Sequence, residues 1–469
     1  MEKSKRPRKT KVGGLSPEQI AILAREWNKC NFWIESKQRF CRLDRLCNEK
    51  PYCGEHLPAF CTVVSPDGFV MERIPCPIDS THTCYKHMLE KHLKKCNKKP
   101  PAILPPYIQK GVNLVTDLGY KKFSEKDSQQ SCRLPSEKDK EERYKNIEAM
   151  NSEDFSILLE KIVSVHSDNK LTPRVEYGLS ESVAGELCRS DIGERAAKHL
   201  TQIASILNLL EVFGLVRDNT AFVEYGGGRG TVTFHLANLV KEKHFNNCKF
   251  FVIDKASPRY KQDNKLADLG LNVVRIRSDI SDVLVGELPG MNDPTILRIV
   301  GVTKHLCGVA TDMALFSLLS ETSNSLCHIV SGFCFATCCH HRCKANSYAG
   351  ASWLHEKNFT NGDMNIIMQM SSWATCGDPD GRIESVKPIT ESTLKYLKSM
   401  ENKIPLVFFK NTIGEFAKDI LDKGRADFGN HSVSGSLGQV VQFTDMANTI
   451  ENRALVMSPS SKNETNETR

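Results

Sequence analysis

Two constellations near the start of this 469-residue chain have the donor types and spacing of zinc sites. Cys76-x5-His82-x9-His92-x3-Cys96 offers two thiolates and two imidazoles, a closed tetrahedral set of the structural kind. A helical pattern over Tyr85–Lys95 places His92 and Cys96 on adjacent turns of one face. Cys84 and His87 lie inside the loop as competing donors, and the alternative is a Cys/His-rich linker without metal. The other set is looser: Cys30, Cys41 and the tight pair Cys53-x2-His56, with Cys47 and Cys61 as possible substitutes. Aromatics Phe32, Trp33, Phe40 and Tyr52 interleave with Arg39, Arg42 and Arg45. That mixture suits either base stacking and phosphate contacts or the small core of a finger. The chain has 18 Cys, and its basic start, MEKSKRPRKTKVGG, has no apolar stretch behind it. A reducing, intracellular setting, nucleus or cytoplasm, is therefore expected; there cysteines bind metal rather than form disulfides, and the sequons at Asn463 and Asn466 carry no weight.

A second kind of chemistry sits in Glu224-Tyr225-Gly226-Gly227-Gly228-Arg229-Gly230, which fits E-x-G-x-G-x-G between a strand and a helix. Glycines there permit a tight turn and close backbone approach to a ligand. Asp254 ends the next strand, where an acid reads ribose hydroxyls, and Asp279 follows the third, where it can accept from an adenine amino group. A dinucleotide site prefers G-x-G-x-x-G. The spacing found, preceded by a strand-terminal acid, suits S-adenosylmethionine, whose ammonium needs a carboxylate nearby. Glycines serving only as a turn are the structural alternative.

A third concentration of ionisable groups lies at two neighbouring strand ends. One strand ends at Thr303-Lys304-His305-Leu306-Cys307-Gly308, and the next leads into Cys338-Cys339-His340-His341-Arg342-Cys343. Transfer of a methyl group to a hydroxyl needs positioning and a base, for which Lys304 and His305 are candidates. His340, His341 and Arg342 are candidates for holding a phosphate or sharing the proton transfer. The alternatives are a further metal site around CCHHRC or, for Cys307, Cys327, Cys334 and Cys338, burial as small apolar residues, the reading preferred for Cys327 and Cys334.

Alternating elements position these groups. Strand-like runs are 221–225, 249–254, 272–277, 298–306, 328–336, 405–411, 440–444 and 451–457. Helical runs between them include Thr231–His244, Arg259–Leu269, Thr311–Ser320 and Glu391–Ser399. Ahead of them, Ala197, Leu200, Ile203, Ala204, Leu207 and Leu210 share one helical face, and a short helix is expected over Pro17–Asn28. The pattern implies an α/β fold of the Rossmann-like class I methyltransferase layout: a mostly parallel sheet closed by an antiparallel terminal hairpin, preceded by two small zinc fingers. The expected divisions are a basic tail at 1–14, fingers at 15–62 and 70–100, a linker at 101–150, a catalytic domain at 151–458 and a disordered tail at 459–469.

Charge follows the same division. The net charge is +7, yet residues 1–150 hold 29 Lys+Arg against 19 Asp+Glu, and the rest are slightly acidic. The excess belongs to the metal-binding arm, which points to a nucleic-acid backbone as its partner. No apolar run is long enough to span a bilayer, so no membrane partner is expected.

The order of a C…C…CxxH finger, a CHHC finger, VEYGGGRGTVT, KHLCGVATD and CCHHRC resembles the eukaryotic tRNA 2′-O-methyltransferases that modify nucleotide 4 of the acceptor stem. The resemblance covers nearly the whole chain. It implies S-adenosylmethionine, two structural zinc ions, and transfer to the ribose 2′-hydroxyl of C or A in tRNAs for Gly, Pro and His. The CHHC finger alone is similar to one in a spliceosomal protein and implies only RNA binding. One departure is the Gly/Ser-rich segment 429–438, where an altered sheet edge or terminal hairpin is expected. A competing reading is a zinc-finger RNA-binding adaptor with a non-catalytic Rossmann domain, and a further one is methylation of a base or a protein.

Overall fold

The structure is a computed structural model describing residues 28–34, 39–45, 51–53, 56, 62–64, 70–78, 80, 82–96, 104–114, 147–256, 261–268, 270–319, 329–375, 390–399 and 409–460. The basic tail, the helix expected over Pro17–Asn28 (save its last residue), Cys47, Cys61, Cys327 and residues 461–469 lie outside these. The chain divides into two compact units, residues 1–103 and 104–469.

In the first unit, a hairpin pairs Trp33–Ile34 with Arg39–Phe40. A three-stranded antiparallel sheet follows, Thr62–Val64, Val70–Pro75 and Thr83–Tyr85, and then the helix Leu89–Lys95. Helix therefore begins later than expected, because Thr83–Tyr85 pairs with Arg73–Pro75 and a 3-10 turn over Lys86–Met88 intervenes.

The second unit is built on one sheet. Its strands are β1 (Thr220–Tyr225), β2 (Lys249–Ile253), β3 (Val273–Ile276), β4 (Arg298–Cys307), β5 (Ile329–Cys338), β6 (Ser436–Gln442) and β7 (Arg453–Pro459). Their spatial order is β3-β2-β1-β4-β5-β7-β6, with the two-residue strand Arg174–Val175 outermost beside β6. β1 to β5 are mutually parallel, and β7 runs antiparallel to both β5 and β6. The main helices are α1 (Ser152–Asp168), α2 (Glu194–Val212), α3 (Thr231–Glu242), α4 (Lys261–Asp268), α5 (Val309–Leu319), α6 (Asn361–Met370), α7 (Glu391–Ser399) and α8 (Phe409–Ser432).

Every residue of β1 is buried, as a central parallel strand covered on both faces requires. Alternation along it splits the core. Phe222 belongs with helices α2 and α3, in a cluster that includes Ile206, Leu210 and Leu236, whereas Ala221, Val223 and Tyr225 belong with Leu315 and Leu318 of α5. A third cluster joins α1, α6 and α8 through Phe155, Ile366 and Ile420.

Two expectations change. Residues 409–411 open α8 rather than ending a strand, since Phe409, Ile413, Ala417, Ile420 and Leu421 recur at helical spacing and are all buried; 405–408 lie outside the described residues. The terminal hairpin, expected to be altered around 429–438, is regular: α8 runs to Ser432 and β6 pairs with β7 from Ser436↔Pro459 to Gln442↔Arg453. Small residues there allow close packing, since a Cβ on Gly438 would lie 2.6 Å from the Ala426 carbonyl oxygen. At the other end of the unit, residues 104–114, read as the start of a linker, pack on the catalytic unit. Ile108 bridges to Val283, Lys110 pairs with Asp282 at 2.7 Å, and the Asn113 amide donates to the Ile280 and Val283 carbonyls.

Candidate active site and metal centres

Both finger constellations converge. Cys30, Cys41, Cys53 and His56 form one group and Cys76, His82, His92 and Cys96 another, with the donor atoms of each group within 4.8 Å of one another. His56 Nδ1 lies 3.5 Å from Cys30 Sγ and 3.4 Å from Cys53 Sγ, and its amide donates to the Cys53 carbonyl, closing the CxxH turn. In the second group Cys76 and Cys96 are 3.8 Å apart, and His92 Nε2 is 3.2 Å from Cys76 Sγ. Donors at about 2.1–2.3 Å from a tetrahedral zinc are separated by such distances, so the residues fit the ion. Cys84 is buried outside the group and His87 is exposed. The finger aromatics divide their roles. Phe40 is buried against Trp33 and Tyr52 packs on the cysteines, whereas Phe32 stacks on His56 with 42% of its surface exposed. Arg45 is used internally, donating to the Lys29 carbonyl and to Asn31.

The Gly loop joins β1 to α3. Gly226, Gly228 and Gly230 have φ of 64°, 49° and 74°, a region that L side chains rarely adopt. Glu224, at the end of β1, is buried beneath the loop and accepts hydrogen bonds from the Thr233 amide at 3.0 Å and from the Thr233 hydroxyl. Burial pushes its carboxyl up to about 7, against the lowering effect of the Thr233 bonds. Asp254, just past β2, accepts from the Gly228 amide at 2.7 Å and the Ala256 amide at 2.6 Å, so it also shapes the loop. Asp279, beyond the end of β3, pairs with Lys255 at 2.9 Å and caps Ser281.

The loop borders a cavity of about 720 Å³. Glu224, Gly226, Gly227, Arg229 and Thr231 line one part; Lys304, His305 and His199 line another. A bulge brings the last group there. Thr303 pairs with Phe335 and Leu306 with Thr337, leaving two residues of β4 opposite one of β5. The extra residue breaks strict alternation, and Lys304 and its neighbour His305 both border the cavity. Lys304 Nζ lies 3.1 Å from His199 Nδ1 of α2. Desolvation lowers the Lys304 pKa, opposed by the Glu224 charge; the rings of His199 and His305 are lowered by desolvation and then by the Lys304 ammonium. Sequence reasoning missed His199, because nothing in its own helix marks it and only the fold brings it to β4.

The CCHHRC segment divides. His340 is buried with Nε2 2.7 Å from Asp422 of α8, which also binds Arg425 and the Thr337 hydroxyl. Arg425 in turn pairs with Asp312 of α5 at 2.9 Å. His340 therefore belongs to a buried network that ties β5 to α5 and α8, while His341 and Arg342 are exposed. None of the three is among the residues lining the cavity. Cys334 is fully buried among apolar residues, but Cys307, Cys338 and Cys339 lie close together.

Comparison with known proteins agrees with this geometry. The family profile described as Methyltransferase TRM13 matches residues 201–458, more than half of the chain. The chain belongs to the TRM13 methyltransferase family. A CCCH zinc finger found in TRM13 proteins matches residues 28–57, and a U11-48K-like CHHC zinc finger matches 73–97. The human tRNA:m(4)X modification enzyme TRM13 homolog is 25% identical over 92% of this chain and 95% of its own length. The tRNA:m(4)X modification enzymes TRM13 of Saccharomyces cerevisiae and Scheffersomyces stipitis are 26% and 28% identical over 92% and 89% of the chain, and 95% and 98% of their own lengths. This TRM13-family chain is thus a methyltransferase enzyme with zinc-finger domains, and its family implies S-adenosylmethionine as methyl donor. No described helix is long and apolar enough to cross a membrane.

Proposed function

We propose that this enzyme methylates the ribose 2′-hydroxyl of nucleotide 4, C or A, in the acceptor stem of tRNAs such as those for Gly, Pro and His. The observation that carries the reading is that one cavity is lined by both the Gly loop and the Lys304–His199 pair. The names of the full-length relatives support tRNA as substrate.

S-adenosylmethionine supplies an electrophilic methyl group. The chain's own residues supply the rest. Gly226, Gly228 and Gly230 let the backbone approach the cofactor, and Glu224 offers a carboxylate to its ammonium. Asp254 and Asp279, at the ends of β2 and β3, read its ribose and its adenine amino group. Lys304, whose pKa desolvation lowers, would take the hydroxyl proton as the ribose oxygen bonds to the methyl carbon, the electron pair of the broken sulfur–methyl bond staying on the departing thioether. His199 accepts a hydrogen bond from Lys304 and so orients it. His341 and Arg342, exposed on the turn after β5, are the groups proposed to hold the substrate phosphate or share the proton transfer, with buried His340 anchoring that turn on Asp422. The two fingers each hold one structural zinc ion and grip the tRNA, and the enzyme acts inside the cell, in the nucleus, the cytoplasm or both.

The test is labelled S-adenosylmethionine with total tRNA, followed by mapping of the modified nucleotide. Methylation at ribose 4, shown by local resistance to alkaline cleavage, is expected. Label on a base, or at another position, overturns the reading.

A further inference from the structure

We propose that His305, Cys307 and Cys338 form a third zinc site, at the adjoining ends of β4 and β5. The three donor atoms lie within 4.8 Å of one another. Cys307 Sγ is 3.6 Å from His305 Nε2 and 3.7 Å from Cys338 Sγ. Those separations match the edges in the CHHC finger, where Cys76 and Cys96 are 3.8 Å apart and Cys96 is 3.6 Å from His82. They also match the edge of about 3.7 Å that zinc–sulfur bonds near 2.3 Å impose on a tetrahedron. Cys339 Sγ lies 3.5 Å from Cys307 but outside the mutually close set, which leaves the fourth position open.

The backbone is built to gather these donors. The β4 bulge brings His305 to the strand end beside Cys307. Cys339 has φ of 52°, a left-handed conformation costly for a residue with a side chain, and Glu451 holds its amide at 2.9 Å. Gly308 has φ of 59°, and a Cβ there would meet Arg342 Cβ at 2.6 Å, so only glycine lets the two loops close together. Two thiols and an imidazole select zinc over magnesium or calcium, which take oxygen donors. Unlike the fingers, whose ligands fall within about 30 residues of one another, this site joins two strands of the catalytic sheet. Its ion would hold His305 as a ligand beside Lys304, which also borders the cavity. The site does not depend on which tRNA atom is methylated.

The decisive experiment is zinc content and free-thiol count of the full chain, purified under reducing conditions without added metal. Three zinc ions per chain are expected, falling to two in Cys307→Ser and in Cys338→Ser, with the finger ions retained. Should Cys338→Ser fail to fold, Cys307→Ser and His305→Gln carry the test, with thermal melting as the folding control. Cobalt substitution should give thiolate-to-cobalt absorption that loses about a third of its tetrahedral d–d intensity in Cys307→Ser. Two zinc ions in the wild type, unchanged in Cys307→Ser, overturn the proposal. So does a disulfide joining Cys307 to Cys338 or Cys339 in place of the ion.

Discussion

The finger unit and the catalytic unit gather cysteines for opposite reasons. Around Cys30, Cys41 and Cys53, the described apolar packing amounts to the cysteines themselves, Tyr52 and the edge contact of Phe40 with Trp33. A metal ion there substitutes for a core that so short a segment cannot build. The catalytic unit has extensive apolar clusters on both faces of its sheet and a third under α8. Cys334 and Cys343 belong to those clusters, whereas Cys307, Cys338 and Cys339 at the β4 and β5 ends do not. On the proposed reading, metal is a condition of folding in one region and a local addition in the other.

Chelation should expose that contrast most strongly. A strong chelator is expected to unfold the finger unit and weaken tRNA binding roughly 100-fold or more, with a flatter salt dependence, because the basic arm loses its shape. The catalytic unit should keep its own thermal transition and bind S-adenosylmethionine with affinity changed only a few-fold. One shared transition in calorimetry would show that the units are not independent in this sense.

The next effect separates chemistry from binding within the catalytic unit. Lys304→Ala should lower kcat by about 10²–10⁴-fold while leaving cofactor affinity, measured by calorimetry, nearly unchanged. Lys304→Arg should not rescue it, since a guanidinium stays protonated. Rescue by arginine would reassign Lys304 from proton transfer to charge alone.

Stability offers a third comparison. Arg425→Met leaves Asp312 and Asp422 without their shared cation in the interior, which costs about 3–5 kcal/mol. The melting temperature of the catalytic unit should fall accordingly, and that of the finger unit should not move.

Glu224→Gln gives a smaller, pH-dependent change. The folded carboxyl titrates near 7 instead of 4.5, so the wild type loses stability as pH rises between those values and carries the full penalty above 7. The glutamine variant lacks that slope and should be more stable by roughly 3 kcal/mol at pH 8, with almost no advantage at about pH 4. It should also bind S-adenosylmethionine more weakly, having no carboxylate for the ammonium. Equal pH slopes for both proteins in denaturant titrations would show that Glu224 is not the group responsible.

Legibility in the sequence follows the range of the interactions. Finger ligands and the Gly loop are local patterns, so spacing alone identified Cys76, His82, His92 and Cys96 and the turn at Gly226–Gly230. The mostly parallel sheet followed from alternation because βαβ connections leave few choices, and its antiparallel end from the short final connection. The run 405–411 misled because its short apolar stretch has no period of its own; the helical character of its end emerges only with Ile413, Ala417 and Ile420 further on. His199 and the Cys307–Cys338 approach were invisible because they depend on side chains about 105 and 31 residues apart. His340 was a candidate by composition, and its buried partner Asp422, 82 residues along the chain, could not be read from the sequence.

The extra residue in β4 has a consequence for inheritance. Deleting one codon at Lys304 would restore regular pairing with β5, so the sheet should form at least as readily as before. Leu306, which packs against Gly226 of the Gly loop, would shift with it. On the proposed role of Lys304, a lineage could thus pass in one step from an enzyme to a folded relative without activity.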